Sequence, residues 1–156
     1  MKALVVFYSR TGMTRKIADA ISSSLKCDVE ELVDTKDRSG VLGYIMAGKD
    51  AASGALTKIR EPKNNPGSYD IVIMGTPVWA FNASCPVRTY IFQNKDNLKN
   101  IAFFCTQGGY GSKGVFRTME NICGKKPKAI LELTAKEIVK GEYIPKVNKF
   151  LDDILR

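Results

Sequence analysis

Residues Lys2–Thr14 read KALVVFYSRTGMT, and the organisation of the whole chain follows from how this stretch is interpreted. Lys2–Tyr8 is a nearly continuous β-branched and aromatic run, as expected of a strand buried on both faces of a parallel sheet. Ser9, Thr11 and Thr14 follow, with Gly12 among them. Thr14–Leu25 then places Ile17, Ala18, Ile21 and Leu25 on one face at helical spacing. Backbone N–H groups at a helix start lack intrahelical partners and point along a dipole that favours negative charge. The three hydroxyls add donors, and Gly12 permits close backbone approach, so the loop reads as a nest for one compact phosphate. No lysine-serine/threonine pair follows a GxxxxG frame, which excludes a Walker A loop and argues against a nucleoside triphosphate. A single hydroxyl would be no more than a helix cap; three after a buried strand favour phosphate.

Further along, the pattern repeats. Cys27–Val33 alternates weakly, as an outer strand would. Asp70–Met74 (DIVIM) is a third strand that Gly75-Thr76-Pro77 is expected to end. Asn100–Thr106 (NIAFFCT) is a fourth and Ala129–Leu133 a fifth. Helices are expected over Pro86–Gln93, with proline in the permitted first turn, over Val115–Ile122 closed by Gly124, and over Tyr143–Leu155. Val41–Ala52 is a weaker helix because Gly43 and Gly48 interrupt it, and the role of residues 34–67 is open. Strands alternating with helices imply right-handed parallel βαβ units. The expectation is a three-layer α/β domain spanning 1–156, an open doubly wound five-stranded parallel sheet. Ligands of such sheets bind beyond the carboxyl ends of the strands.

Composition narrows the chemistry. The chain has 156 residues, 44% hydrophobic and 26% charged, enough for a core without disulfides. No stretch approaches the ~18 apolar residues of a membrane span, and no signal-peptide pattern opens the sequence, so a cytoplasmic protein is expected. Cys27, Cys85, Cys105 and Cys123 form no CxxC pair, which argues against zinc or iron–sulfur ligation. Histidine is absent, excluding Ser-His-Asp and Cys-His machinery; if the protein is an enzyme, a cofactor carries the chemistry. Net charge is +8, with 11 basic and 9 acidic residues in 1–78 and 13 and 7 in 79–156. The basic residues are dispersed and not interleaved with aromatics, which argues against nucleic acid.

Three loops leave strands one, three and four at one sheet edge: Ser9–Thr14, Thr76–Asn82 (TPVWAFN) and Thr106–Gly111 (TQGGYG). They carry hydroxyls, glycines, the only tryptophan and a tyrosine among glycines. Gly109, Gly111 and Gly114 also fit GxGxxG, but the motif leaves the fourth strand rather than the first, and the loop rich in phosphate donors lies elsewhere, so dinucleotide binding is not expected.

The first motif, together with residues 71–91 and 103–119, resembles the flavodoxin family over most of the chain. The resemblance implies a sheet of order 2-1-3-4-5 that binds FMN noncovalently. By position, Ser9, Arg10, Thr11, Gly12, Met13 and Thr14 would wrap the phosphate. Pro77, Val78, Trp79, Ala80, Phe81 and Asn82 would bracket the flavin ring together with Thr106, Gln107, Gly108, Gly109, Tyr110 and Gly111. Trp79 and Tyr110 are the candidates for stacking; the alternative is that Trp79 is a core residue and Phe81 or Tyr110 stacks instead. The implied role is electron transfer; the alternative is an FMN-dependent NAD(P)H:quinone-type oxidoreductase. No long insertion exists to cover the flavin, which favours the carrier.

Two features depart from the family pattern. Electron-carrier flavodoxins are usually acidic, so the basic charge here implies a less negative potential and an acidic redox partner, an iron–sulfur protein or a reductase. Many flavodoxins also have a glycine-containing peptide near flavin N5, and Thr76–Asn82 contains no glycine.

Overall fold

The computed structural model describes residues 1–156. Its first strand, β1 (Ala3–Phe7), is buried at every position. Leu4, Val6 and the following Tyr8 enter one apolar cluster, while Ala3, Val5 and Phe7 enter another. That is the two-residue alternation of a strand covered on both faces.

Next come α1 (Met13–Leu25), β2 (Asp28–Glu31), α2 (Gly40–Ala52), β3 (Ile71–Trp79), β4 (Asn82–Ala83) and α3 (Cys85–Asn94). The chain continues with β5 (Asn100–Gln107), α4 (Ser112–Cys123), β6 (Ile130–Thr134), α5 (Ala135–Lys140) and α6 (Ile144–Leu155). The sheet order is β2-β1-β3-β5-β6, with β4 folded back on β3. Its five long strands pair in parallel, and counted alone they run 2-1-3-4-5. Residues of α2, α3 and α4 share the 24-residue cluster on one face, and residues of α1, α5 and α6 the 17-residue cluster on the other.

The third strand runs past the expected stop at Met74. Pairing with β5 continues through Pro77 opposite Thr106, whereas β1 ends opposite Gly75. Pro77 therefore sits where one edge of β3 has lost its neighbour, a place a strand tolerates proline. Gly75 is required by close packing, since a Cβ there would lie 1.9 Å from the Phe104 ring.

At Trp79 the chain turns back through Ala80 and Phe81, with φ of 46° and 62°, into Asn82, which pairs with Trp79. Two consecutive positive-φ residues are what a two-residue type I′ hairpin needs, normally supplied by Asn-Gly. Using alanine and phenylalanine costs on the order of 1–2 kcal/mol per residue. Segment 76–82 is thus a strand end and a hairpin rather than an open loop.

Candidate functional site

Beyond the carboxyl ends of β1, β3 and β5 lies a cleft of about 250 Å³. Its walls are Arg10, Thr11, Met13 and Thr14 from the first loop, Pro77, Val78 and Trp79 from the third strand, and Thr106, Gln107 and Gly108 from the fifth. Tyr44 of α2 and Ala135 of α5 complete it.

The phosphate-type features sit at the start of α1. Gly12 precedes the helix with φ 95°, and no side chain caps the helix. The Ser9 hydroxyl accepts the Gly12 N–H at 3.0 Å, which tightens the loop and leaves the first-turn N–H groups facing outward. No acidic residue occupies that turn, so the positive end of the dipole is uncompensated. Thr14 is buried, and its hydroxyl lies 2.8 Å from that of Thr106, tying the first loop to the end of β5.

The wall formed by the end of β5 is partly polar. Gln107 is buried, and its Oε1 has no hydrogen-bond partner. An unpaired buried amide oxygen is costly, and a ligand N–H would satisfy it. No side chain intrudes at Gly108 or Gly109, where a Cβ would meet nothing within 4 Å.

The aromatic groups divide into two sets. Trp79 is only 6% exposed. Its ring meets Tyr8 edge-on at 5.3 Å, and the Arg38 guanidinium lies 5.2 Å from its centroid. Arg38 is itself 3% exposed; its Nε donates to Asp34 at 2.5 Å, and Nη2 lies 2.9 Å from an Asp50 carboxylate oxygen. Burial alone would raise the pKa of Asp50, but hydrogen bonds from Arg38 and Lys36 outweigh it and hold that carboxyl below its usual range. Burial, followed by the charge of Asp34, pushes the Tyr8 phenol up to about 12. Trp79 is therefore a core residue with a limited surface on the cleft. The outer set is Phe81 and Tyr110, 60% and 77% exposed, with ring centroids 5.5 Å apart. They bridge the hairpin and the glycine loop across the mouth.

The glycines of the GxGxxG pattern have a packing explanation. A Cβ at Gly111 would lie 2.9 Å from Val78 Cγ1, and one at Gly114 would lie 2.4 Å from the Phe81 carbonyl oxygen. They seat the Ala80–Phe81 turn against the start of α4.

Residues 2–148 match the model of a family described as flavodoxin. The chain belongs to the flavodoxin family. No curated protein matches it. Solved structures do. A flavoprotein in complex with FMN from Lactobacillus acidophilus NCFM is 24% identical, with TM-score 0.74, covering 89% of this chain and 97% of that one. A flavodoxin from Streptococcus pneumoniae TIGR4 is 19% identical, with TM-score 0.56 and coverage of 99% and 98%. A flavodoxin described as WrbA-like from Agrobacterium tumefaciens is 11% identical, with TM-score 0.53 and coverage of 97% and 98%. At these identities the likeness shows the fold.

Not every residue singled out in the sequence lines the cleft. Ser9 and Gly12 shape the loop from behind, and Gly109 and Gly111 flank the mouth. Ala80, Phe81 and Tyr110 also stand at the rim. Asn82 is turned away: its Nδ2 donates to the Ala51 carbonyl at 3.0 Å, anchoring the hairpin to α2. Tyr44, Ala135 and Arg38 were not recognisable from the motifs. Tyr44 lies in a segment whose small residues, Gly43, Ala47 and Ala51, recur every fourth position, a spacing that marks one helical face. No helix is long and apolar enough to cross a membrane, and no cluster of potential metal ligands forms.

Proposed function

We propose that this flavodoxin is an electron-transfer protein that holds FMN noncovalently in the cleft. Bound there, FMN supplies one- and two-electron redox chemistry, and the chain binds and orients it. The unpaired N–H groups at the start of α1, with the Thr11 hydroxyl and Arg10, would hold the phosphate. Pro77–Trp79 and Thr106–Gly108 would flank the ring, with the Gln107 amide at its polar edge. The observation that carries this reading is an uncapped helix start and an orphaned buried amide in the lining of one cleft. A phosphate would satisfy the first and a heterocyclic N–H the second.

The cleft contains no carboxylate and no cysteine, so no such side chain there offers proton transfer at neutral pH. This favours a carrier that exchanges electrons with a partner protein over a self-sufficient NAD(P)H:quinone oxidoreductase. The net charge of +8 suits an acidic partner, such as an iron–sulfur protein or a reductase.

Reconstitution with FMN tests the reading, followed by steady-state NADH and NADPH oxidation with a quinone acceptor. The expected outcome is a yellow 1:1 complex with negligible pyridine-nucleotide turnover. Protein that stays colourless refutes FMN binding, and fast turnover refutes the carrier role. Electron exchange with an acidic partner slows as salt rises; an increase would contradict attraction-driven docking.

A further inference from the structure

At the amino edge of the sheet, at the far end from the cleft, two loops meet in one corner. Residues 95–99 lead into β5, and residues 124–129 lead into β6. Lys125 Nζ donates to the Leu98 carbonyl, and the Lys128 N–H donates to the Ile101 carbonyl at 2.8 Å. These bonds tie the loops into a single surface. They carry Lys95, Lys99, Lys125, Lys126 and Lys128 against one acid, Asp96. None of these lysines forms a salt bridge.

Two of the lysines have local reasons to be there. Lys95 is the C-cap of α3, where a cation opposes the negative end of the helix dipole, and Lys125 satisfies the Leu98 carbonyl. Lys99, Lys126 and Lys128 are exposed and lie outside any helix. Like charges gathered in one corner repel, so the fold itself gains nothing from them. Beside them Phe92 is 55% exposed, and Lys95 Nζ lies 5.5 Å from its ring centroid. β5 runs from Asn100 to Gln107. At ~3.3 Å per residue, the corner lies about 23 Å from the part of the cleft that Gln107 lines.

We propose that this corner docks on an anionic lipid surface, with Lys99, Lys126 and Lys128 among the headgroups and the Phe92 ring at their apolar boundary. Charge complementarity sets the sign of the occupant, and residue type sets its class. Neither loop contains arginine, whose planar fork pairs phosphates bidentately in nucleic-acid recognition. A lone exposed ring also gives no series of stacking faces for bases. Compact lysine charges beside an exposed aromatic suit the diffuse field of anionic headgroups. A second copy of the chain would set the same lysines against one another. Docked in this way, the chain keeps its cleft at the other end of β5, open to a redox partner.

Co-sedimentation of the full chain, with and without FMN, tests the proposal. One set of vesicles holds phosphatidylglycerol and phosphatidylcholine in equal parts, the other phosphatidylcholine alone. Binding to the anionic vesicles only is expected, weakening as salt rises and unaltered by FMN. Replacing Lys99, Lys126 and Lys128 together by Gln should weaken it by more than about tenfold, and Phe92→Ser by about three- to fivefold. Replacing the exposed Lys113, Lys136 and Lys140 by Gln lowers net charge equally away from the corner and should leave binding within about twofold. An unchanged Tm shows that each variant is folded. Equal weakening by the two triple variants would overturn the proposal, because net charge alone would then account for binding. Undiminished binding of the corner variant, or no binding by the parent chain, would overturn it too. In the last case, corner-dependent binding of poly-glutamate or duplex DNA would assign the lysines to another polyanion. Sedimentation reads the protein itself, so a failure to take up FMN would refute the FMN reading and leave this one standing.

Discussion

Two helices, α1 and α5, begin at the same sheet edge, and both contribute to the same cleft, yet their ends are finished in opposite ways. At α5 the Thr134 hydroxyl accepts the Glu137 N–H at 3.3 Å, and Glu137 Oε2 accepts the Thr134 N–H at 2.8 Å. The other oxygen of Glu137 takes Lys146 at 2.7 Å. That is a closed capping box whose anion comes from within the chain. At α1 there is no side-chain cap, no first-turn acid, and a glycine in the left-handed conformation. The contrast shows how one architecture separates a helix start that serves stability from one left open for an external anion.

Making α1 resemble α5 should produce the largest effect. Thr11→Asp places a carboxylate at the open end, so FMN affinity falls by about 100-fold or more. Stability rises by a few tenths of a kcal/mol, about 0.3–1, from the dipole interaction. Flavin fluorescence titration and thermal melts read the two opposite signs; a fall in both would mean that the end is structural.

Thr14→Val tests the link between loops. It removes a cleft hydroxyl and strands Thr106, so we expect a loss of about 1–3 kcal/mol of stability and about tenfold in FMN affinity. Thr134→Ala should do the converse at α5. About 1 kcal/mol is lost, a Tm drop of about 2–4 °C for a domain of this size, with FMN affinity unchanged. A parallel loss of affinity would erase the distinction between the two ends.

The smallest effect is in pH dependence. The hydrogen bond from Lys146, followed by that from the Thr134 N–H, holds the Glu137 carboxyl below its ordinary 4.5. A lowered folded pKa adds stability that is present above the ordinary value and is lost as pH falls through the folded one. Urea unfolding between pH 3 and 7 should therefore show this component in the parent protein, and Glu137→Gln should reduce it. An unchanged profile would detach the capping box from the pH response.

Much of the fold was legible because its strands are buried on both faces, so burial and sequence pattern coincide. The apolar runs at Ala3–Phe7, Ile71–Met74 and Ile101–Cys105 could be little else. The flavodoxin motif was legible for a similar reason, since a phosphate loop needs its donors consecutive in the chain. Other parts were obscured by particular residues. Gly75-Thr76-Pro77 looks like a strand stop, but β5 continues alongside and extends β3 to Trp79. The weak helix signal at 41–52 comes from helical glycines, of which Gly43 serves packing against Arg38 rather than a turn. The α5 helix was missed although Thr134 and Glu137 carry the capping-box spacing in plain view. That Arg38 lies over the Trp79 ring and Tyr8 meets its edge is not readable from the sequence, because those contacts come from distant segments.

The chain's own order of residues determined the alternation of strands and helices, the anion-ready loop at Ser9–Thr14 and the family. These depend on local spacing, and local spacing is written along the chain. Only the tertiary structure decided which aromatics face the cleft, that Gln107 is left without a partner, and that Asn82 turns away to anchor the hairpin to α2. Each of those depends on groups from distant segments meeting in space, where burial and unmet hydrogen bonds acquire their energetic meaning.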